Sequence, residues 1–357
     1  ILPRQFTPED IQFIREVYTF AEHAHHGQLR LSGPPFITHS LGTAELLAQW
    51  KLPPVIIAAG LLHDVPEDTT YTLQDIKDNF GKDVADIVEG ETKLDRLRYR
   101  GVERYAENLR KMFLAMATDV RVIFVKFADR LHNLSTLEGV PEYKQKRIAH
   151  ESLEIYAPIA NRLGMGAIRG ELEDLSFKYI NPPEYAWVLG IIVDRAQQKE
   201  EYLEKIKNII AGDLTQSQIS VISIHGRIKH LYSLYQKLLK KDRDINKVYD
   251  IVAQRIIVPT VQDCYAALGV LHQRWTPLKG RVKDYIAQPK PNNYQSLHTT
   301  LFCDDGEIVE FQIRTPQMHE EAEFGVAAHW FYTEKDKRSV RPEGKLKWLK
   351  DLVEIQK

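Results

Sequence analysis

The chain has 357 residues, enough for two or three domains. Its 48 basic and 49 acidic residues give a net charge of −1, which argues against a general nucleic-acid-binding protein. Two cysteines, Cys264 and Cys303, cannot build a disulfide framework and suit a reducing cytoplasm, and no apolar run approaches the ~20 residues that span a bilayer. The start at Ile1 lacks a methionine and a signal-peptide pattern, so we expect an excised piece of a longer protein.

The first half of the chain has the spacing of helices. Thr7 is a typical N-cap with Pro8 at the first helical position, and apolar residues at helical spacing predict a helix over 11–26 that Gly27 ends. A loop containing Arg30 follows, and residues 37–50 predict a second helix. The uninterrupted apolar run 55–62 predicts a third, buried helix.

The buried helix runs directly into His63-Asp64-Val65-Pro66-Glu67-Asp68. An imidazole beside carboxylates suits a divalent cation of the Mn²⁺, Fe²⁺ or Zn²⁺ kind. Taken alone, the hexapeptide fits a solvated or capping helix end equally well. Because Pro66 lacks an N–H, we expect the helix to end near Asp64 and Glu67 and Asp68 to lie on a loop.

Two further polar residues interrupt separate apolar helices. His39 lies near the start of the second predicted helix, and Asp129 lies in the apolar run 122–133. Together with His63 and Asp64 they would supply four ligands and leave positions for water, which is typical of a catalytic metal site.

The order H…HD…D resembles the HD superfamily of metal-dependent phosphohydrolases. Flanking strings resemble, more narrowly, the hydrolase domain of the Rel/SpoT alarmone enzymes. They are Arg30-x-Ser32-Gly33, Phe36-Ile37-x-His39, His63-Asp64-x-x-Glu67-Asp68-Thr69 and Lys126-x-Ala128-Asp129-Arg130-Leu131-His132-Asn133.

The resemblance implies a role for each matching position. His39, His63, Asp64 and Asp129 would bind Mn²⁺, and Glu67 and Asp68 would handle the attacking water and its proton. Arg30, Asn133 and Thr136 would hold the nucleotide. Leu31 and Pro34 depart from the family pattern, which puts some phosphate contact of this loop in doubt.

Between the two halves the sequence predicts helical connections. The arginines of the stretch 95–118 favour a solvated helix face over a phosphate site. Residues 151–180 predict a helical connector that Pro158 bends, Asn181-Pro182-Pro183 predicts a break, and 184–210 predicts a long amphipathic helix.

The second half predicts an α+β domain with a small mixed or antiparallel sheet. Strands are expected over 219–227 and 248–258, and helices over 228–241 and 264–274. A hairpin is expected between 296–302 and 308–314, turning at 304–306.

Polar residues alternate along the last strand of this hairpin. Glu310, Gln312 and Arg314 share one face, a pattern that a half-buried strand also gives without any function. Asp250 opens a neighbouring strand, so two strand-borne carboxylates could hold Mg²⁺. Cations surround them, as in a phosphate-transfer site: Arg227, Lys229, His230, Arg255, Lys279, Arg281, Lys283, Lys290, His298 and Arg314. Neither a Walker loop nor GxGxxG is present.

Strings in this half closely resemble the (p)ppGpp synthetase domain, which has a nucleotidyltransferase-like fold. They are Gly226-Arg227-x-Lys229-His230-x-Tyr232-Ser233, Tyr249-Asp250, Arg281-Val282-Lys283-Asp284, Pro289-Lys290-x-Asn292-x-Tyr294-Gln295-Ser296-Leu297-His298 and Glu310-x-Gln312-Ile313-Arg314-Thr315. The family transfers pyrophosphate from ATP to the 3′-OH of GDP or GTP.

By this resemblance Asp250 and Glu310 would bind Mg²⁺ and activate the hydroxyl, and Tyr294 would stack on guanine. The remaining nucleotide contacts would come from Arg227, Lys229, Ser233, Arg255, Lys279, Lys283, Lys290, Asn292, Gln295, His298, Gln312 and Arg314. The string from Arg281 to Asp284 is similar to that of bifunctional members of the family.

The leading hypothesis is a bifunctional enzyme that makes and hydrolyses (p)ppGpp. One alternative keeps a single activity, with the other domain a nucleotide-sensing remnant, and another is an RNA- or ribosome-binding scaffold. The expected domains are the hydrolase (1–150), the connector (151–210), the synthetase (211–340) and a basic helical tail (341–357) leading to a regulatory region that associates with the ribosome. We also expect the connector to couple the two sites, with Pro158 and Pro182 as hinges.

Overall fold

The computed structural model describes residues 6–95 and 118–328. The arginines between 96 and 110 and the tail 341–357 lie outside the described residues. The chain divides into two compact units, one containing Ile1–Tyr156 and Val326–Lys357 and the other Ala157–Gly325. Within the described residues, no helix is both long and apolar enough to cross a membrane.

The first unit is helical, as the sequence predicts. Its helices are α1 (Pro8–Ala24), α2 (Ile37–Gln49), α3 (Pro54–Leu62), α4 (Val65–Asp68), α5 (Leu73–Phe80), α6 (Lys82–Asp95), α7 (Arg121–Ser135) and α8 (Glu142–Glu151). Thr7 caps α1, accepting a hydrogen bond from the backbone N–H of Asp10, whose carboxylate accepts one from the N–H of Thr7. Helix α3 is apolar on every side and is buried against α1, α2, α6 and α7.

The segment after His63 differs from the sequence prediction. Helix α3 ends at Leu62, but Glu67 and Asp68 lie on the short helix α4 and not on a loop. The expectation of a loop was wrong because Pro66 falls in the first turn of α4, where its missing N–H has no partner to lose.

The second unit begins with three helices, α9 (Ala157–Arg162), α10 (Gly166–Ile180) and α11 (Pro182–Gln216). The irregularity expected at Pro158 takes the form of a π-helical segment, Ser152–Tyr156, immediately before α9. The predicted break at Asn181 is confirmed, since Pro182 is the first residue of α11, which has 35 residues and extends beyond the predicted helix.

A mixed sheet follows, as predicted, and it has six strands among the described residues. Its strands are β1 (Ser223–Ile228), β2 (Val252–Ile257), β3 (Thr276–Pro277), β4 (Lys283–Asp284), β5 (Leu297–Phe302) and β6 (Ile308–Arg314), and its helices are α12 (Leu231–Leu239), α13 (Val261–Arg274) and α14 (Pro316–Phe324). The strand order is β1-β2-β6-β5-β3, with β4 also paired to β5. Only β2 and β6 run parallel among these pairs, and β5 and β6 form the expected hairpin.

The register of the strands separates an apolar face from a polar one. Ile256, Phe311 and Leu297 are buried on the face that α11 and α13 cover. On the opposite face, paired positions form a polar line that crosses five strands: His225, Arg255, Gln312, His298 and Lys283. Glu310 and Arg314 flank Gln312 on the same face, so the alternation along β6 places its acidic, amide and basic side chains on one side of the sheet.

Two glycines of the second unit provide a test of the packing. Gly325 has a φ of +55°, and a Cβ there would overlap the backbone around Leu163 and Gly164, whereas Gly269 lies inside α13 with nothing within 4 Å of such a Cβ. We expect Gly325→Ala to lower the unfolding free energy of this unit by more than about 1 kcal/mol. Gly269→Ala should raise it by about 0.5–1 kcal/mol. Hydrogen exchange of the β2 and β6 amides measures both, and equal effects would contradict this packing.

Candidate active sites

Three elements bring the four predicted metal ligands of the first unit together. His39 comes from α2, His63 and Asp64 follow α3, and Asp129 lies in α7. His39 Nε2 lies 3.2 Å from Asp129 Oδ1 and 3.5 Å from Asp64 Oδ2, and His63 Nε2 lies 3.2 Å from Asp64 Oδ2. Ligand atoms of His39, His63 and Asp129 all lie within 4.8 Å of one another, which suits one metal ion.

Hydrogen bonds orient both imidazoles. His63 Nδ1 donates to the carbonyl of Gly60 at 2.8 Å, so Nε2 is the nitrogen that faces the carboxylates, and this buried atom has no hydrogen-bond partner. His39 Nδ1 lies 2.8 Å from His132 Nδ1, which again turns Nε2 toward the carboxylates. A metal-binding imidazole typically has this arrangement, with the far nitrogen held by another group.

The carboxylate of Asp129 is buried but strongly compensated. Burial acts to raise its pKa, but Lys126 and His39 outweigh it, and the pKa lies well below the ordinary value. Lys126 Nζ donates to Asp129 Oδ2 at 2.9 Å and to Glu91 Oε1 at 3.1 Å, and all three side chains are nearly inaccessible. For His63, burial acts to lower the pKa, but the neighbouring Asp64 raises it well above its usual value. The ionised state of each group in the cluster is therefore stabilised by its oppositely charged neighbours.

The pKa of Asp68 is raised, in contrast to that of Asp129. Burial and the charge of Asp64 raise its pKa, although His25 and His63 act against them. A carboxyl whose pKa is raised beside a cluster of ionised groups can carry a proton that its neighbours cannot.

The predicted nucleotide-binding residues of the first unit border the cluster. Arg30 donates from Nη1 to His132 Nδ1 and from Nη2 to Asn133 Oδ1, each at 3.1 Å, and Asn133 Nδ2 donates to Asp129 Oδ1 at 2.5 Å. Thr136 is less directly placed, because its hydroxyl donates to the backbone carbonyl of His132 at 2.9 Å. Leu31 is 75% exposed at the tip of the same loop.

Asp250 in the second unit is held by two lysines. Lys229 Nζ donates to its Oδ2 at 2.8 Å and Lys237 Nζ to its Oδ1 at 2.6 Å. Burial acts to raise the pKa of Asp250, but the two ammonium groups lower it to about 2. The carboxylate lies two residues before β2 and is ionised at neutral pH.

Glu310 ends a directed chain of hydrogen bonds. Arg314 Nη2 donates to the Tyr294 hydroxyl, whose oxygen lies 2.7 Å from His298 Nε2. On the other side of the ring, the carboxylate of Glu310 can only accept a hydrogen bond. His298 therefore carries its proton on Nδ1, 3.4 Å from Glu310 Oε1. Burial acts to raise the pKa of Glu310, but the hydrogen bond from His298 lowers it overall.

Several cations of the second unit have no carboxylate partner among the described residues. They are Arg227, Lys279, Lys283 and Lys290. Lys290 Nζ lies 4.6 Å from the ring centroids of both Tyr285 and Tyr294, and desolvation together with the charges of Lys283 and Arg169 lowers its pKa. Unpaired cations facing one another favour an anion.

The other predicted nucleotide contacts are engaged within the second unit. Ser233 lies between Arg169 and Glu173 of α10, Asn292 donates to the carbonyl of Asn161 at 3.1 Å, and Gln295 donates to that of Ile286 at 3.2 Å. Gln312 donates to Glu310 Oε1 at 3.0 Å and accepts from Arg314.

Arg255 meets an acidic residue that the sequence analysis did not include. Its Nη1 lies 3.0 Å from Glu323 Oε1 of α14, and Arg314 Nη1 lies 3.6 Å from the same oxygen. Burial and the nearby Arg314 lower the pKa of Arg255 to about 10.

Sequence reasoning assigned no role to four residues that hold the site: Lys126 and Lys237 pair with Asp129 and Asp250, Glu91 pairs with Lys126, and His132 contacts His39. Lys126 carried a usable signal, because a lysine three residues before Asp129 in an otherwise apolar helix requires a buried acid. Glu91 and Lys237 carried none, since their elements read as ordinary amphipathic helices.

Comparison with known proteins matches this division of the chain. Residues 18–166 match the family model of the HD domain, and residues 226–337 match that of the region found in RelA/SpoT proteins. Together these matches cover most of the sequence. The chain is of the Rel/SpoT type.

Relatives named as pyrophosphokinases and relatives named as pyrophosphohydrolases are both similar to this chain over nearly its whole length. A GTP pyrophosphokinase of Myxococcus xanthus is 45% identical over 99% of this chain and 47% of its own length. A guanosine-3′,5′-bis(diphosphate) 3′-pyrophosphohydrolase of Spiroplasma citri is 46% identical over 93% of the chain and 44% of its own length. The bifunctional (p)ppGpp synthase/hydrolase SpoT of Escherichia coli is 45% identical over 99% and 51%. This Rel/SpoT-type chain thus spans about half the length of the curated relatives it matches.

His319 offers a test of the charge distribution around Arg255. Burial and the charge of Arg255 lower the pKa of His319 to about 4, with Arg314 and His225 acting in the same direction and Glu323 opposing them. Removing a cation makes protonation easier, so we expect Arg255→Gln to raise this pKa toward 6.5. An NMR titration of the His319 ring measures the change. The control is Arg274→Gln, which removes an arginine that pairs with Asp213 and should leave the pKa of His319 unaltered. An unaltered pKa of His319 in Arg255→Gln would contradict the role given to Arg255.

Proposed function

We propose that this chain both synthesises and hydrolyses (p)ppGpp, as an alarmone enzyme of the stringent response, with one activity in each unit. The observation that carries the proposal is the pairing of two different sets of chemical groups. The first unit has imidazoles and carboxylates converging within metal-binding distance. The second has two ionised carboxylates, Glu310 on the polar face of the sheet and Asp250 just before β2, together with cations that have no carboxylate partner.

For hydrolysis, we propose His39, His63, Asp64 and Asp129 as the ligands of Mn²⁺. The fit rests on the buried Nε2 of His63, which forms no hydrogen bond although Asp64 Oδ2 lies 3.2 Å away, and on the mixed nitrogen and oxygen donors. Such an ion makes a water more acidic and polarises a phosphoryl oxygen. Glu67 and Asp68 would position that water and take its proton, Asp68 being suited by its raised pKa. Arg30 and Asn133 would hold the nucleotide at the edge of the cluster, with Thr136 beside them.

For synthesis, we propose that Glu310 accepts the proton of the 3′-hydroxyl of GDP or GTP, while that oxygen bonds to the β-phosphorus of ATP and AMP leaves. His298 keeps Glu310 ionised and oriented. Asp250 and Glu310 would hold Mg²⁺, an ion that is commonly bound through one or two carboxylates together with substrate phosphates. The unpaired cations Arg227, Lys279, Lys283 and Lys290 would neutralise phosphate charge, and Tyr294 would stack on guanine.

The same groups argue against the non-enzymatic scaffold. A face that only binds RNA does not need ionised carboxylates among its cations, whereas Asp250 and Glu310 are held ionised here, Asp250 by Lys229 and Lys237. A single live activity stays the main alternative. We also propose that the protein is cytoplasmic and associates with the ribosome.

Two aspartate variants test whether the two activities are separate. Asp64→Ala removes a carboxylate from the first cluster and should lower (p)ppGpp hydrolysis at least about 100-fold without slowing synthesis. Asp250→Ala should do the reverse. Both rates are measured on the same preparation by separating labelled nucleotides.

Matched controls come from exposed aspartates in each unit. Asp78→Ala in α5 and Asp194→Ala in α11 change the same side chain outside both sites and should preserve both rates. If Asp64→Ala and Asp250→Ala each reduced both activities equally, the assignment of one activity to each unit would be wrong. If the unsubstituted chain showed only one activity, the single-activity alternative would hold.

A further inference from the structure

We infer that His132 is a positioning residue that orients His39 for metal binding, an inference that rests on the proposed hydrolase function. Its side chain lies behind His39, on the side away from the carboxylates. The two Nδ1 atoms are 2.8 Å apart, and the ring centroids are 4.9 Å apart.

The direction of this hydrogen bond follows from a third residue. Arg30 Nη1 lies 3.1 Å from the same His132 Nδ1, and a guanidinium can only donate. His132 Nδ1 is therefore an acceptor, so His39 Nδ1 must carry a hydrogen. The atom that remains for a metal ion is His39 Nε2, which lies 3.2 Å from Asp129 Oδ1.

A glycine makes room for this arrangement. Gly42 lies in α2 one turn after His39, and a Cβ at position 42 would overlap Cδ2 and Nε2 of the His132 ring. The ring thus lies directly against the backbone of the helix that carries His39. Any side chain at position 42 would have to displace the imidazole that fixes His39.

The contact of Arg30 gives His132 a second consequence. Its Nδ1 has a single lone pair, which Arg30 and His39 approach together. When Arg30 moves to a phosphate, His39 retains that lone pair alone. Metal affinity and nucleotide binding are therefore linked through one atom of His132.

Substitutions of His132 separate hydrogen bonding from space filling. Leu has no acceptor, whereas Asn places its Oδ1 where the Nδ1 of histidine lies. We expect His132→Leu to weaken Mn²⁺ binding by about 10- to 100-fold, the usual effect of losing a group that holds a metal-binding imidazole. His132→Asn should restore binding to within a few-fold. Electron paramagnetic resonance of unbound Mn²⁺, on the full chain without nucleotide, measures the affinity.

Gly42→Ala provides an independent route to the same defect. It leaves His132 in the sequence but pushes its ring away, so we expect weaker Mn²⁺ binding. Adding His132→Asn, a smaller side chain, should recover part of the loss. His23→Leu, an exposed histidine of α1, is the control and should bind Mn²⁺ like the unsubstituted chain. Synthesis of (p)ppGpp by each preparation reports that the second unit is intact, and circular dichroism reports the helices of the first.

The outcomes distinguish this inference from the function on which it rests. The amount of Mn²⁺ that Asp64→Ala still binds measures binding outside the proposed site. If the unsubstituted chain bound no more Mn²⁺ than this variant, the proposal of a metal-dependent hydrolase would be wrong. If the unsubstituted chain bound Mn²⁺ tightly and His132→Leu bound it equally well, only the role of His132 would be overturned. Equal losses in His132→Leu and His132→Asn would also overturn it, because the acceptor would then be irrelevant.

Discussion

Charged groups that can only donate or only accept hydrogen bonds orient the imidazoles of both candidate sites. Arg30 makes His132 an acceptor, which fixes the hydrogen of His39 on the side away from the carboxylates. Glu310 can only accept, which fixes a hydrogen of His298 on Nδ1 and leaves Nε2 beside the Tyr294 hydroxyl, to which Arg314 donates. In each case a charged group decides which ring nitrogen carries the hydrogen. An interior built on neutral donors would leave those imidazoles free to adopt either tautomer.

Burial of charge is the second constraint. It explains why Asp129 and Asp250 each have a basic partner, a pairing that composition alone does not predict. Burial acts to raise the pKa of Asp129 and of Asp250, and the charges that most oppose it are Lys126 for Asp129 and Lys229 and Lys237 for Asp250. Such pairs contribute little net stability, since the desolvation of both partners offsets their attraction. Their value lies in keeping the acids ionised and in place. The lysines therefore belong to the sites even though they need not touch a substrate.

The sequence was most informative where local chemistry decides structure. The N-cap at Thr7, the apolar run of α3, the break at Asn181 and the β5–β6 hairpin depend on neighbouring residues, and all are present. The alternation along β6 also correctly grouped Glu310 with Arg314. What local patterns could not supply were partners from distant elements, such as Glu91 for Lys126 or Glu323 for Arg255. The proline rule failed at Pro66 for a related reason. A proline disrupts the interior of a helix, but it is well tolerated in the first turn of the next helix.

The donor sets of the two sites bear on how two opposing reactions can share one chain. Imidazole nitrogens favour Mn²⁺, Fe²⁺ or Zn²⁺, whereas a pair of carboxylates without imidazole donors suits Mg²⁺ completed by water and phosphate. The first site is assembled by the protein itself, since ligand atoms from three elements already lie within 4.8 Å of one another. The second offers two acids as metal ligands, both engaged by basic residues, so a metal ion there would depend on the phosphates of the substrates to complete its ligands. Under the proposed function, the hydrolase site would thus be prepared before its substrate arrives, whereas the synthetase site would be completed only when both nucleotides are present.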